Sequence, residues 1–110
     1  MRVFDVARLV DGRRDDAIDD ARLVVADGEV AAVGPREGVD APPDAERVEY
    51  PDRTVVPGFV DAHVHVQGAR SMNVEDWMAT PDSLAAARAT GDLRSLVDAG
   101  FTSVRDLGSS

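Results

Sequence analysis

The stretch Gly58-Phe59-Val60-Asp61-Ala62-His63-Val64-His65 decides how this chain is read, because it holds both of the chain's histidines near the end of a largely apolar, β-branched run. Phe59 to Val66 reads as a strand buried on both faces, of the kind found in parallel sheets. Side chains on a strand alternate faces, so His63 and His65 project to the same side, about 6.5 to 7 Å apart at the backbone. Two imidazole nitrogens can then converge on one ion, and imidazole suits zinc, iron or nickel. A bare His-x-His has an ordinary alternative, one packed and one exposed histidine. The context favours the metal pair, since the strand opens a βαβ unit and sites in parallel α/β folds form at the C-terminal ends of strands.

Downstream, Gln67 to Ala79 is polar, mixed and loop-like. Thr80-Pro81 is a helix start, with Thr80 as N-cap and Pro81 at the first helical position, where a missing amide hydrogen does no harm. Ala86, Ala89, Leu93, Leu96 and Val97 follow the spacing of one helical face and are expected to pack in a core, with Gly100 at the stop. Gly91 costs roughly 1 kcal/mol against Ala in a helix interior and leaves a kink or two shorter helices open. Phe101 to Arg105 then reads as a second buried strand ending at Asp106. Two parallel strands joined by a helix cannot close a sheet, so partner strands are expected to be missing.

Upstream, residues 1–57 read as short strands cut by turns. Val3 to Val10 ends at Asp11-Gly12, Arg22 to Ala26 at Asp27-Gly28, and Glu29 to Val33 at Gly34-Pro35. Asp27-Gly28 is the strongest hairpin signal, because both residues tolerate the positive φ of a two-residue turn. Arg36 to Ala45, with Gly38, Pro42 and Pro43, is a loop that cannot hold a helix or an inner strand. Arg47 to Tyr50 and Thr54 to Val56 make two more short strands. The fold class is therefore α/β with β: part of a small β-sandwich over 1–57, followed over 58–110 by a βαβ unit whose partner strands are missing.

A net charge of -9 on 110 residues predicts an acidic surface that repels nucleic acid and anionic membranes. All 12 basic residues are Arg and Asp supplies most of the 21 acidic ones. This usage fits a GC-rich genome and, as a hypothesis, a salt-loving host, since salt screens the self-repulsion of dense carboxylates. Cysteine is absent, which excludes disulfides, thiolate metal sites and thiol nucleophiles. Met1 to Val10, broken by Arg2, Asp5 and Arg8, is no signal peptide, and no apolar run reaches the roughly 18 residues that span a bilayer. A cytoplasmic location is the expectation.

The run Val55-Val56-Pro57-Gly58-Phe59-Val60-Asp61-Ala62-His63-Val64-His65 resembles the signature of the amidohydrolase superfamily, in which a Pro-Gly turn leads from a β-sandwich into the first barrel strand and its metal-binding His-x-His pair. Asp27-Gly28 with Val30-Ala31-Ala32-Val33-Gly34 is similar to that family's N-terminal sandwich segment. Phe101-Thr102-Ser103-Val104-Arg105-Asp106-Leu107-Gly108 resembles the second barrel strand of the branch containing imidazolonepropionase-like enzymes and metal-dependent Xaa-Pro dipeptidases.

The resemblance implies that 58–110 is the first βαβ unit of an incomplete TIM barrel, and that the protein is a hydrolase of carbon–nitrogen bonds acting on a small-molecule amide, cyclic amide or dipeptide through metal-activated water. It implies one or two divalent ions, zinc foremost, held in part by His63 and His65, and leaves an oligomer open. The family's other ligands, often a carboxylated Lys, two more His and an Asp that acts as base, come from later strands. This chain has no Lys and no further His, so those roles and the catalytic residues stay unassigned.

Asp61, on the face of the two histidines, either orients an imidazole or pairs with backbone or Arg. Asp106 either reaches the substrate cleft or serves in an ion pair or loop cap. Trp77 and Met78 line a pocket or anchor a loop, and are left outside the site. Two rival readings remain: an incomplete, non-catalytic fragment or interaction module, and a deaminase or dihydroorotase-like member of the same superfamily.

Overall fold

The computed structural model describes residues 1–66, 71 and 73–108. The chain divides into two compact units, Met1–Pro57 and Gly58–Ser110. The first holds strands β1 (Arg2–Leu9), β2 (Ile18–Ala26), β3 (Glu29–Pro35) and β4 (Glu46–Val55), with a 3-10 turn at Arg36–Gly38. The second holds β5 (Phe59–Val64), helices α1 (Val74–Ala79) and α2 (Asp82–Asp98), and β6 (Phe101–Asp106).

In the first unit the strand order is β3-β2-β1-β4, with β1 antiparallel to β2 and parallel to β4. Val6, Leu9, Ile18 and Ala21 form its core, with Phe4, Leu23, Val33 and Val55 packed against them. The β2–β3 hairpin turns at Asp27 (φ 53°) and Gly28 (φ 82°), the two positive values expected there. β2 starts four residues before the expected Arg22, because Asp19 stands opposite Arg8 and the two form an ion pair of 2.7 Å across the strands.

β4 is one strand where two short ones were expected. Its pairing with β1 slips between Val6 and Arg8, opposite the segment around Pro51. Proline donates no ladder hydrogen bond, but β4 lies at the sheet edge, where a slip accommodates it without ending the strand. Within the expected loop 36–45, the 3-10 turn of three residues is the one helical element.

Beneath the sheet lies an ion pair that sequence patterning did not reveal. Asp5 and Arg22 are directly opposed in register, and their side chains are only 5% and 12% exposed. Arg22 Nε donates to Asp5 Oδ1 at 2.6 Å and Nη2 donates to Oδ2 at 2.9 Å. Its remaining Nη1 donates to the Val39 carbonyl at 2.9 Å, tying the 36–45 loop to the sheet. These bonds from Arg22 hold the Asp5 carboxyl below the ordinary carboxylate range, against the opposing effect of burial.

In the second unit β5 and β6 run parallel, starting at the opposed pair Phe59 and Phe101, whose ring centroids are 5.7 Å apart. Gly58 is required by close approach: a Cβ there would lie 2.8 Å from Thr102 Cβ and nearer still to its hydroxyl and methyl. Helix α2 runs unbroken through Gly91 and starts at Asp82, with Pro81 rather than Thr80 as its N-cap residue. Thr80 instead closes α1, where its hydroxyl donates to the Asp76 carbonyl. At the other end Gly100 takes φ 93° and its N–H donates to the Val97 carbonyl, as the stop signal predicted.

Two expectations fail here. The segment expected as loop contains α1, capped by Asn73 Oδ1, which accepts from Glu75 N at 3.0 Å; residues 67–70 and 72 of that segment lie outside the described residues. The apolar face of α2 is not a core, since Ala89 and Leu96 are half-buried while Ala86, Leu93 and Val97 stay exposed. Likewise Phe59 is 50% and Val60 69% exposed on the strand expected to be buried on both faces. A two-stranded sheet has too little surface to cover these side chains.

Candidate metal centre

His63 lies on β5 and His65 just past its end, at the C-terminal edge of the parallel pair. Pairing with β6 is irregular there: the step from Asp61 to Val64 on β5 faces the shorter step from Val104 to Asp106 on β6. Such an irregularity bends a strand and re-aims its side chains. The His63 N–H donates to Asp61 Oδ1 at 3.0 Å. Asp61 thus takes the backbone role and not that of an imidazole orienter.

The two imidazole centroids are 5.4 Å apart with their planes at 72°, and both side chains are exposed. A zinc–nitrogen bond of about 2.0–2.1 Å, extended by ~1.1 Å from nitrogen to ring centre, sets each centroid ~3.2 Å from an ion; a tetrahedral angle then separates two centroids by about 5.2 Å. The observed spacing fits two ligands of one ion. Among the described residues no three His, Cys, Asp or Glu gather into a group that could hold a metal ion.

The tautomer of His65 follows from its partner. His65 Nδ1 lies 3.0 Å from the Gly108 carbonyl oxygen. A carbonyl only accepts, so Nδ1 is the donor, and in the neutral ring the lone pair is on Nε2. Asp106 serves as a loop cap: its Oδ1 accepts from Gly108 N at 2.8 Å and its Oδ2 from Val66 N at 3.1 Å.

Trp77, set aside on sequence grounds, stands beside this group. Its ring centroid is 6.1 Å from that of His65, and its Nε1 donates to the Ser71 carbonyl at 2.6 Å. Helix α1 positions it, and the signal for that helix was Asn73 followed by Glu75 and Asp76, a cap with acids in the first turn. Met78 points elsewhere, 85% exposed.

The sequence profile of the Amidohydrolase family matches residues 54–110, more than half of the chain and all of the second unit. The chain belongs to the amidohydrolase family. An adenine deaminase of Paracoccus denitrificans is 43% identical over 65 residues, 59% of this chain and 10% of that protein. An imidazolonepropionase of Haloarcula marismortui is 44% identical over 59 residues, 50% of this chain and 14% of that protein. Among solved structures, a prolidase complexed with N-methylphosphonate-L-proline is 33% identical and superposes on 97% of this amidohydrolase chain and 26% of its own, with a TM-score of 0.84. The chain thus spans between a tenth and about a quarter of the length of these proteins.

Proposed function

We propose that this amidohydrolase chain furnishes the first-strand ligand pair, His63 and His65, of a metal-dependent enzyme that hydrolyses carbon–nitrogen bonds in a small amide, cyclic amide or dipeptide. The observation that carries the reading is the 5.4 Å, edge-to-face approach of two exposed imidazoles at the C-terminal edge of a parallel strand pair. A divalent ion such as zinc, when bound, supplies Lewis-acid activation of water. The residues of this chain do the holding: His63 and His65 offer neutral nitrogens, Asp61 fixes the backbone at His63, and Trp77 limits the space beside His65. The remaining ligands and the acid–base group belong outside the described residues.

On this reading residues 1–57 form part of a β-sandwich, and 58–110 open a (β/α) barrel whose further strands cover Phe59, Val60 and the α2 stripe. No helix among the described residues is long and apolar enough to cross a membrane, which accords with a cytoplasmic enzyme. The named relatives include a deaminase as well as an imidazolonepropionase, and the first-strand pair suits either chemistry. The test is elemental analysis of the purified protein and of a variant with His63→Ala and His65→Ala. Loss of bound metal in the variant is expected; unchanged metal content refutes the assignment.

A further inference from the structure

The contacts around His65 extend past its carbonyl partner to a second carboxylate. Asp106 accepts two backbone N–H groups with its two oxygens, one from Val66, directly after His65, and one from Gly108, whose carbonyl receives the His65 ring. One side chain therefore ties down the backbone just beyond both strand ends, and the ring is held between the two tied points. Gly108 has φ 137°, a conformation that residues with a Cβ rarely adopt, and it is in this conformation that its N–H meets Asp106 while its carbonyl meets His65.

We propose that Asp106 is a positioning residue for the metal centre: by anchoring the Gly108 N–H it places the glycine whose carbonyl meets His65 Nδ1, and so favours the tautomer whose Nε2 is free to bind a divalent ion. The inference rests on the reading of His65 as a ligand, but its geometric half stands apart from it. A metal-bound imidazole is oriented by the hydrogen bond of its other nitrogen, usually to a carboxylate or a carbonyl directly. Here the carboxylate acts one step removed, through the N–H and carbonyl of one glycine residue. A carboxylate holds an amide N–H more strongly than a neutral acceptor does, so the Leu107–Gly108 peptide is held, and the Gly108 carbonyl in the next peptide unit is separated from that held point by only the glycine φ and ψ. His63 has no ring hydrogen bond among the described residues, so the effect is confined to one of the two imidazoles and His63 is an internal control.

The test uses the metal-free intact chain with 15N-labelled histidine. Long-range proton–nitrogen correlations at a pH where the rings are neutral are expected to show His65 with its proton on Nδ1. Asp106→Ala is expected to shift His65 towards the mixture of tautomers of a free imidazole, leave the His63 pattern unchanged, and weaken zinc binding in a competition titration about 10–100-fold. Asp106→Asn keeps an oxygen for the Gly108 N–H, so it is expected to retain the Nδ1–H form and most of the affinity.

An Asp106→Ala protein with native circular dichroism and an unaltered His65 pattern overturns the proposal. If that variant does not fold, the Asn variant decides: loss of the Nδ1–H form there overturns it as well, and retention supports it. A wild-type chain with the expected tautomer that takes up no zinc removes the metal reading alone. Normal zinc binding with an altered tautomer in Asp106→Ala removes the link between positioning and affinity.

Discussion

Replacing Arg22 with Ala is expected to be among the most damaging substitutions in the first unit. The guanidinium makes two charge-assisted bonds to Asp5 and one to the Val39 carbonyl, and both side chains are almost wholly withdrawn from water. Truncation leaves a buried carboxylate with no counter-donor, and breaking a buried pair from one side costs about 3–5 kcal/mol. For a unit of this size that lowers the melting temperature by on the order of 10 °C or more.

Replacing both partners, Asp5→Val with Arg22→Met, is expected to recover much of the loss, because the penalty lies in the unpaired charge and not in the absence of the pair. Urea unfolding followed by far-ultraviolet circular dichroism at pH 7 measures all three variants. The folded Asp5 carboxyl titrates below its ordinary value near 3.9. Its contribution is therefore complete above that pH and is lost as pH falls through the lower folded value. Asp5→Asn is expected to flatten that acid limb. A cost below about 1 kcal/mol for Arg22→Ala at pH 7 refutes the reasoning, since a solvated or mobile pair would behave in that way.

Gly58→Ala forces a Cβ into the Thr102 side chain and is expected to cost about 1–3 kcal/mol, with part of the loss recovered by Thr102→Ala; chemical denaturation of the single and double variants checks this. Gly28→Ala at φ 82° is expected to cost about 1 kcal/mol, whereas Gly38→Ala, with open space around its Cβ and an ordinary φ, is expected to be close to neutral in the same assay. Asp61→Ala is expected to raise the hydrogen-exchange rate of the His63 amide several-fold, and Asp61→Asn to change it little; equal effects would separate that amide from the carboxylate. The acidic, lysine-free surface predicts a higher melting temperature in molar salt than in dilute buffer, and a protein no less stable in low salt counts against a salt-adapted host.

How legible the fold was depends on how local each signal is. The Asp27-Gly28 hairpin, the β5 and β6 strands and the Gly100 stop rest on local backbone chemistry, and the chain forms them where the residues indicate. Helix α1 escaped notice because six residues are too few for an apolar period to show, and its cap lay in a segment dominated by polar residues. Arg47 to Tyr50 and Thr54 to Val56 join into the single strand β4 because Pro51 between them lies on an edge strand, where a proline is tolerated, and edge position is a property of the whole sheet. Asp5 and Arg22 were invisible for the same reason, as only the register of β1 against β2 brings them together. At the candidate site the shared face of His63 and His65 followed from strand alternation, whereas the contacts of Trp77 with His65 and of Asp106 with the neighbouring Val66 reach across 12 and 40 residues of chain, which no local pattern encodes.

The acidic residues of this site have a common physical explanation that separates them from the histidines. Where a parallel ladder ends or slips, N–H groups lose their strand partners and need another acceptor. His63 N lies at the slip, and Val66 N and Gly108 N lie just beyond the strand ends; each is met by a carboxylate oxygen, from Asp61 in the first case and Asp106 in the other two. An ionised carboxylate suits this task because it offers only acceptors and binds N–H groups more strongly than a carbonyl does. The Asp-x-His-x-His and Arg-Asp-Leu-Gly runs can therefore be understood as one device in which imidazoles face outward and carboxylates secure the backbone from which they project. Strand ends are where a parallel sheet leaves room for a ligand, and they are also where its backbone is least satisfied. Placing acids there answers the second condition and so makes the first usable.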